Sequence, residues 1–461
     1  MVKKINKLFR TISEQDSATG ASLRLFGRYF TFRKMCKFLR KSQWWSKEEI
    51  KKYQLKKLEK LLNHAYENVP YYTKLFNKIG FNLNNFQSFN DLNKIPFLTK
   101  DIVRENVEEL KAKNYPEHKF ECATTGGSTG APLGFFLEKD VWFAKHMAFG
   151  EVFHNRAKCS FLNKFVGIIG TDPICEKQFF GRILMISSFH LKDENLSMLI
   201  GKIQRFGPKY IMGYPSAVTI LADFINKNNI KHFPKIKAIF CHGETIFEWQ
   251  RSLIEETFGC KILCSHGMAE LCIFAGTCEK SNYYHISPEY GYVELINSDG
   301  EVIEKEDELG EIVATGFHND IFPFIRYKTG DFGMYSNEKC ECGRNTKRLK
   351  TIEGRIQDFV VTKKNKLMSL TGFHHLIATK SQGIKESQIY QDTEGKIVFN
   401  VIKDKDFKEK YIQPFLDSFQ KHFGNELDIS IKYVDSIPRT KRGKYRFLIQ
   451  KLPIDFKKYR F

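Results

Sequence analysis

The chain has 461 residues, 42% of them hydrophobic and 27% charged, with 73 Lys and Arg against 53 Asp and Glu and a net charge of +20. This is a globular composition with length for about three domains, which excludes a disordered polymer, and the lack of any run of about 18 apolar residues excludes a spanning helix. The positive charge suits nucleic acid, an anionic membrane or acidic metabolites, but no zinc-finger, helix-turn-helix or RNP pattern supports the first.

The eleven cysteines are odd in number and mostly isolated within apolar runs. This argues against a disulfide framework and for a reducing, cytoplasmic setting. The N-terminus is polar and basic and lacks the compact apolar core of a signal peptide.

Residues 1–118 read as mainly helical. Leu23–Leu39 interleaves aromatic and aliphatic residues with basic ones, as in an amphipathic helix that packs on the protein or rests on an anionic membrane. Glu48–Asn68 is a cleaner amphipathic helix, ended by Val69-Pro70 because proline restricts the residue before it. Thr99 is placed to cap a further helix.

Cys122–Pro132 concentrates Thr124, Thr125, Gly126, Gly127, Ser128, Thr129 and Gly130 in seven positions. Glycine lets the backbone approach a ligand closely, and hydroxyls with inward N–H groups form a cradle for phosphate oxygens. The spacing is not that of the Walker loop. If Lys119–Ala123 is extended, this loop follows a strand. Beyond it, Phe165–Ile169, Pro208–Pro215 (strand and turn), Ile236–Cys241 and Lys261–Cys264 read as strands, with Ser216–Asn226 a helix between them. Alternating strands and helices predict an α/β fold with a parallel-rich sheet, whose ligands bind beyond the strands' carboxyl ends. His242-Gly243-Glu244-Thr245 and His266-Gly267-Met268-Ala269-Glu270 lie at such ends.

Residues 290–353 alternate like a smaller β unit, with Gly291–Asn297 and Gly310–Thr315 as strands, and contain Arg326-Tyr327-Lys328-Thr329-Gly330-Asp331. Gly354-Arg355 marks a boundary. The remaining residues alternate strands (Ile397–Ile402, Asp428–Tyr433) with a helix over Phe407–Phe423 and end in a basic loop, Pro438-Arg439-Thr440-Lys441-Arg442-Gly443-Lys444. The expected division is thus 1–118, 119–353 and 354–461.

Taken in this order, the motifs resemble those of the adenylate-forming acyl-ligase superfamily, in its phenylacetate–CoA ligase-like branch. The flanking segments Asn68-Val69-Pro70-Tyr71-Tyr72 and Pro96-Phe97-Leu98-Thr99-Lys100 are similar to that branch, and the intact ending and the Glu270 context resemble the capsular polysaccharide biosynthesis (CapK-type) subgroup. The resemblance spans about residues 45–450. It implies a large adenylate-forming domain, with helices, parallel-rich sheets and a small β unit, and a small mobile α+β C-terminal domain. Thr124, Thr125, Gly126, Gly127, Ser128, Thr129 and Gly130 would hold ATP phosphates and Glu270 a Mg²⁺ ion, which prefers oxygen ligands. Gly243 and Glu244, with His266 and Gly267 nearby, would flank the nucleotide. Asp331 would accept bonds from the ribose hydroxyls, and Arg355 would contact ribose or phosphate. Lys444 would reach in as a point charge for the attacked α-phosphate, with Thr129 assisting. The implied reaction converts a small-molecule carboxylate to acyl-AMP and pyrophosphate, then passes the acyl group to CoA, a carrier thiol or a sugar. No nucleic acid is involved; peripheral contact with an anionic membrane is open. Two alternatives stand beside it, an aryl-CoA ligase and a non-catalytic nucleotide-binding protein at a membrane surface.

The chain departs from the pattern at Gln357, where an acidic hinge residue is expected and Asp358 follows, and at Thr362-Lys363-Lys364-Asn365-Lys366, which replaces a Gly-rich segment associated with CoA. Cys340-Glu341-Cys342-Gly343, with Cys278 and His285 upstream, supplies three thiols and an imidazole for a tetrahedral structural zinc. Matching Cys and His residues in the phenylacetate–CoA ligase branch strengthen that expectation.

Overall fold

The structure, a computed structural model, describes residues 18–125, 133–160, 162–171, 173–178, 181–355, 359–369, 383–440 and 445–452. The expected roles of Gly126, Gly127, Ser128, Thr129, Gly130 and Lys444, and the choice of hinge between Gln357 and Asp358, fall outside the described residues.

Helix α1 (Ala18–Ser42) leads into α2 (Lys47–Asn68), which opens on a reciprocal cap: the Ser46 hydroxyl accepts from the Glu49 amide, and the Glu49 carboxylate accepts from the Ser46 amide. Pro70 ends α2 and starts α3 (Pro70–Ile79), since a proline at the first helical position has no N–H to leave unsatisfied. α3 buries Tyr72 and Phe76 completely, a contribution of about 1.5–3 kcal/mol for each side chain. The Tyr72 hydroxyl donates to the Pro323 carbonyl at 3.0 Å, tying the helical segment to the loop ahead of Arg326. Thr99 caps the short helix α4 (Lys100–Glu105) as the sequence predicts, accepting from the Ile102 amide at 3.3 Å.

Strands β1 (Phe120–Thr124) and β2 (Gly134–Glu138) form an antiparallel hairpin, followed by α5 (Trp142–His154). Next come β3 (Phe165–Ile169), β4 (Cys175–Gln178), β5 (Ile183–Ser187), α6 (Asp193–Phe206), β6 (Tyr210–Gly213), α7 (Pro215–Lys227), β7 (Ala238–His242), α8 (Glu248–Phe258) and β8 (Ile262–Gly267). β5, β3, β6, β7 and β8 are parallel in that order, and their runs of buried Val, Ile, Leu and Phe are those of strands covered on both faces.

The small β unit is not separate. β9 (Phe274–Gly276) and β10 (Tyr284–Ile286) bridge the parallel strands to an antiparallel stretch of β11 (Gly291–Ile296), β12 (Val302–Ile303), β13 (Leu309–Gly316), β14 (Tyr327–Ser336) and β15 (Arg348–Arg355). Among the described residues this makes one thirteen-stranded sheet, ordered β12-β11-β13-β14-β15-β10-β9-β8-β7-β6-β3-β5-β4. The bridging strands are three residues each, too short to carry a readable alternation.

After the hairpin β16 (Phe359–Val361) and β17 (Leu367–Ser369), the chain forms β18 (Ile384–Thr393), β19 (Lys396–Lys403), α9 (Gln413–Phe423), β20 (Asp428–Tyr433) and β21 (Leu448–Gln450). The sheet order is β20-β19-β18-β21. Val360, Ile389, Phe399, Val401, Phe419 and Leu448 form its own core, distinct from those of the large sheet. α9 starts later than the predicted Phe407, because Phe407 and a short 3₁₀ turn over Glu409–Tyr411 lead into it.

Candidate active site

The carboxyl ends of β6, β7 and β8 open on one edge of the sheet. At the end of β7, Gly243 adopts φ +77°, a conformation costly for residues with a Cβ, and Glu244 follows it. Glu244 Oε2 accepts from the Ser216 amide at 3.1 Å, in the first turn of α7, and Oε1 accepts from the Tyr445 amide at 2.7 Å. Burial pushes the Glu244 carboxyl up, against the Ser216 and Tyr445 bonds and the Arg439 charge, which favour the carboxylate. Two N–H groups from different parts of the chain thus converge on one acid.

β8 runs on through His266 and Gly267, longer than the predicted Lys261–Cys264, and Glu270 follows in the connection to β9. Glu270 is buried, and its Oε1 accepts from the Tyr327 hydroxyl at 2.9 Å. Burial, then the Glu270 charge and hydrogen bond, hold the Tyr327 phenol firmly protonated. Asp331 lies four residues further along β14, with Oδ2 3.4 Å from His266 Nε2. The register of β14 and β15 sets Arg355 directly opposite Asp331. His266, Asp331, Glu270 and the Arg355 backbone, 89 residues apart in sequence at their extremes (355 minus 266), are therefore brought together.

Thr124 and Thr125 stand at the mouth of the β1–β2 hairpin. The Thr125 amide donates to the Leu133 carbonyl at 3.0 Å, and the Leu133 amide donates to Thr125 Oγ1 at 3.0 Å. The hairpin docks near Glu270 through the Phe135–Phe324 ring contact at 5.5 Å and Phe324 against Tyr327 at 4.9 Å.

Sequence reasoning placed Ser216 among the pocket residues, within Gly213–Ser216, and passed over Tyr327 and Tyr445 as site residues. Tyr327 lies inside the Arg326–Asp331 motif, but its pairing with Glu270 joins elements 57 residues apart. Tyr445 contributes to Glu244 through its main-chain N–H group, which carries no side-chain signature, whereas Ser216 reaches Glu244 through both its amide and its hydroxyl.

Cys278, His285, Cys340 and Cys342 place their ligand atoms within 4.8 Å of one another. Cys278 Sγ is 3.6 Å from Cys340 Sγ, and Cys342 Sγ is 3.5 Å from His285 Nε2. A tetrahedral zinc with ordinary bond lengths has edges of about 3.5–3.8 Å, so the donor set fits that ion. Gly343, at φ +82°, closes the Cys340–Cys342 turn with its amide on the Cys340 carbonyl at 3.1 Å. His285 Nδ1 is 2.9 Å from Thr346 Oγ1, which orients Nε2 toward the thiols. The cluster joins β10 and the strand after β8 to the β14–β15 connection.

Among solved structures, a 2-hydroxyisobutyryl-CoA ligase in its postadenylation state superposes with a TM-score of 0.70 at 18% identity, covering 89% of this chain and 93% of that one. The same ligase in its thioesterification state superposes with a TM-score of 0.55. In fold and in sequence the chain is similar to adenylate-forming ligases, a class of enzymes. Within that class it is similar to Protein CapK of Staphylococcus aureus, at 27% identity over 87% of this chain and 89% of that protein. It is also similar to a phenylacetate-coenzyme A ligase of Thermus thermophilus, at 24% identity over 68% of this chain and 72% of that one. Residues 360–451 match the CapK C-terminal domain family. Among the described residues no helix is long and apolar enough to cross a membrane.

Proposed function

We propose that the chain uses ATP to adenylate a carboxylic acid and then passes the acyl group to an acceptor, in the assembly of cell-surface polysaccharide. The observation that carries this reading is the meeting of Glu244, Glu270, His266 and Asp331 at one sheet edge, with the residue that follows Lys444 bonded to Glu244. The likeness to Protein CapK supports the setting.

In the first step a substrate carboxylate oxygen attacks the α-phosphorus and the bond to the β-phosphate breaks, so pyrophosphate leaves with the electron pair. Asp331 accepts the ribose hydroxyls, with Arg355 on ribose or phosphate. Gly243 and Glu244 flank the adenine, with His266 and Gly267 beside the nucleotide. Thr124, Thr125 and the loop Gly126–Gly130, including Ser128 and Thr129, cradle the leaving phosphates through N–H and hydroxyl groups. Lys444 neutralises charge gathering on the α-phosphoryl oxygens. Glu270 would hold Mg²⁺, which supplies Lewis-acid polarisation of the phosphates. In the second step the acceptor nucleophile attacks the acyl carbon and AMP departs. The acceptor is CoA, a carrier thiol, or a sugar amine or hydroxyl.

The four-residue cysteine–histidine cluster holds a structural Zn²⁺; all four positions would be protein ligands, so the metal takes no part in the reaction. Residues 1–118 and 119–353 form the large domain and 354–461 the small mobile one. The protein is cytoplasmic, and the exposed basic face of α1 contacts the anionic inner surface of the membrane. A second reading, an aryl-CoA ligase, is favoured by the similarity to phenylacetate-coenzyme A ligases.

Substrate-dependent ATP–pyrophosphate exchange over aryl, fatty, hydroxy and amino acids tests the proposal. Exchange with one class, abolished by Lys444→Ala while ATP still binds, is expected. Normal acyl-AMP formation by Lys444→Ala would remove the lysine from its role, and no exchange with any acid would remove the adenylation.

A further inference from the structure

α5 covers one face of the sheet at β7, with the rings of Phe153 and His154 5.9 Å and 4.5 Å from that of Phe240. Tyr210, at the start of β6, donates to the Ala157 and Lys158 carbonyls just beyond α5, so the helix runs from the carboxyl edge of the strands toward their amino ends. Phe143, Met147, Gly150 and His154 recur at helical spacing and lie on one stripe of it. Met147 is exposed and the other three are half-buried, whereas Ala144, Ala148, Phe149 and Phe153 are buried. On the strand side, His242 follows Phe240 by two residues and so shares its face, with Ser265 paired beside it on β8. Both are half-buried. A recess therefore descends between α5 and the strand ends, with His242 at its mouth and Phe240 and His154 at its floor, two strand residues or about 7 Å below.

We infer that this recess receives the acyl chain of the carboxylic acid and that His154 selects chains bearing a hydroxyl away from the carboxylate. This rests on the adenylating reading above and adds the class of acid to it.

Three observations support it. First, protein atoms crowd His154 enough for burial to lower it to about 4, so it is neutral, yet solvent still reaches the side chain; a group that is both deep and reached lies at the bottom of an opening. Its ring contacts Phe153 and Phe240 and makes no hydrogen bond among the described residues. A neutral imidazole has one donor and one acceptor nitrogen, and a hydroxyl can satisfy either, whereas a plain alkyl or aryl chain would cover both without a partner. Second, Gly150 stands one turn before His154 inside α5, where glycine weakens a helix, and a side chain there would meet nothing within 4 Å among the described residues. No neighbour crowds the position; the glycine leaves room above the imidazole. Third, His242 is followed directly by Gly243 and Glu244, the residues proposed to flank the adenine. A carboxylate at the mouth would thus meet the nucleotide with its chain running down to His154.

The test pairs acids that differ by one hydroxyl, γ-hydroxybutyrate with butyrate and para-hydroxyphenylacetate with phenylacetate, in wild type, His154→Phe and Gly150→Leu of the full chain. In pyrophosphate exchange, kcat/KM should favour the hydroxylated member of an accepted pair by about tenfold or more, and His154→Phe should bring the two within about twofold of each other. A merely structural role of His154 would change both members alike. Gly150→Leu should raise KM for every accepted acid by about tenfold, while the melting temperature holds or rises because leucine is the better helix former. A binding readout needs no turnover: the NMR signals of the His154 ring, assigned by their loss in His154→Phe, should shift with the hydroxylated acid and not with its partner. Equal kcat/KM within the accepted pairs, an unchanged ratio in His154→Phe, a wild-type KM in Gly150→Leu, or a ring signal that no accepted acid moves would overturn the inference and leave adenylation standing. Exchange with no acid, while a hydroxylated acid still moves the ring signal, would remove the adenylating reading and keep the recess as a hydroxy-acid site. Neither exchange nor a shifted signal would remove both.

Discussion

The Tyr327 hydroxyl donates to Glu270 at 2.9 Å, and both side chains are buried. This bond fixes the carboxylate proposed to hold Mg²⁺. Tyr327→Phe deletes one oxygen and leaves the cavity wall intact. A buried acceptor that loses its donor costs about 1–3 kcal/mol. The expected outcome is a Mg²⁺ requirement for pyrophosphate exchange raised by about tenfold, with the rate at saturating Mg²⁺ changed far less. A Mg²⁺ titration identical to wild type would show that Tyr327 does not position Glu270.

One residue earlier, Arg326 locks the strand that carries Tyr327. It sits at φ +49°, is buried, and pairs with buried Glu294 through Nη2 at 2.9 Å and Nε at 3.2 Å. The guanidinium also donates to the Ile95 carbonyl at 2.8 Å and to Asn93 Oδ1 at 3.3 Å, and it lies 4.4 Å from the centre of the Phe97 ring. Glu294→Ala leaves an unpaired buried cation and should destabilise the fold by about 3–5 kcal/mol, read by chemical unfolding. Arg326→Lys should also fail, since an ammonium cannot reproduce the two-pronged bond and the stacking. Stability within about 0.5 kcal/mol of wild type in Glu294→Ala would contradict this account.

Much of this was legible in the sequence because it is local. The Thr99 cap, the break at Val69-Pro70, the strand at Phe165–Ile169 and the strand at Asp428–Tyr433 follow from residues that touch within a turn or a single run. The order of the motifs gave the class. The continuity of the sheet was not legible, because β9 and β10 are three-residue strands whose pairing is set by partners far along the chain. The Glu244–Tyr445 bond was hidden for a similar reason: it spans 201 residues and uses a backbone donor, which any residue but proline could supply.

The cysteine–histidine cluster predicts a metal-dependent stability. Purified protein should contain about one zinc per chain, held by Cys278, His285, Cys340 and Cys342. Cys340→Ser removes one of three thiolates, so zinc content and melting temperature should fall together while exchange measured at low temperature persists. Elemental analysis showing no zinc, with Cys340→Ser as stable as wild type, would reject the site.

Half-buried His154 and buried His318 set an acid limit. Burial, followed by the nearby His242 charge, lowers His154 to about 4, and burial lowers His318 to about 3. Both folded values lie below the unfolded value of about 6.5, so the unfolded chain binds more protons between them. The stability they confer is complete above about pH 6.5 and is lost as pH falls toward the folded values. The His154 ring lies 4.5 Å from that of Phe240 and tilted by 56°, a contact that the ring of His154→Phe can also make. That variant should lose about 2 kcal/mol less than wild type on going from pH 7.5 to pH 5. Equal losses in the two proteins would show that His154 does not stay neutral in the fold.

The outer face of α1 tests the proposed membrane contact. Cys36 and Leu39 are buried against the protein, and Arg28 pairs with Asp140 just before α5. Phe30, Arg33, Lys34, Lys37, Arg40 and Lys41 are exposed, at spacings that put them on one side of the helix. α1 contains no Asp or Glu, and none of these five cations has a carboxylate partner within ion-pair distance among the described residues. Near an anionic surface each such cation contributes about 1 kcal/mol, with Phe30, 57% exposed, available to enter the interface. Vesicles containing phosphatidylserine should therefore sediment the protein at low salt, and vesicles of phosphatidylcholine alone should not. Raising the salt or introducing Arg33→Glu with Lys37→Glu should abolish the binding, because screened or reversed charge removes the attraction. Sedimentation that ignores both lipid charge and salt would assign the basic face to solvent.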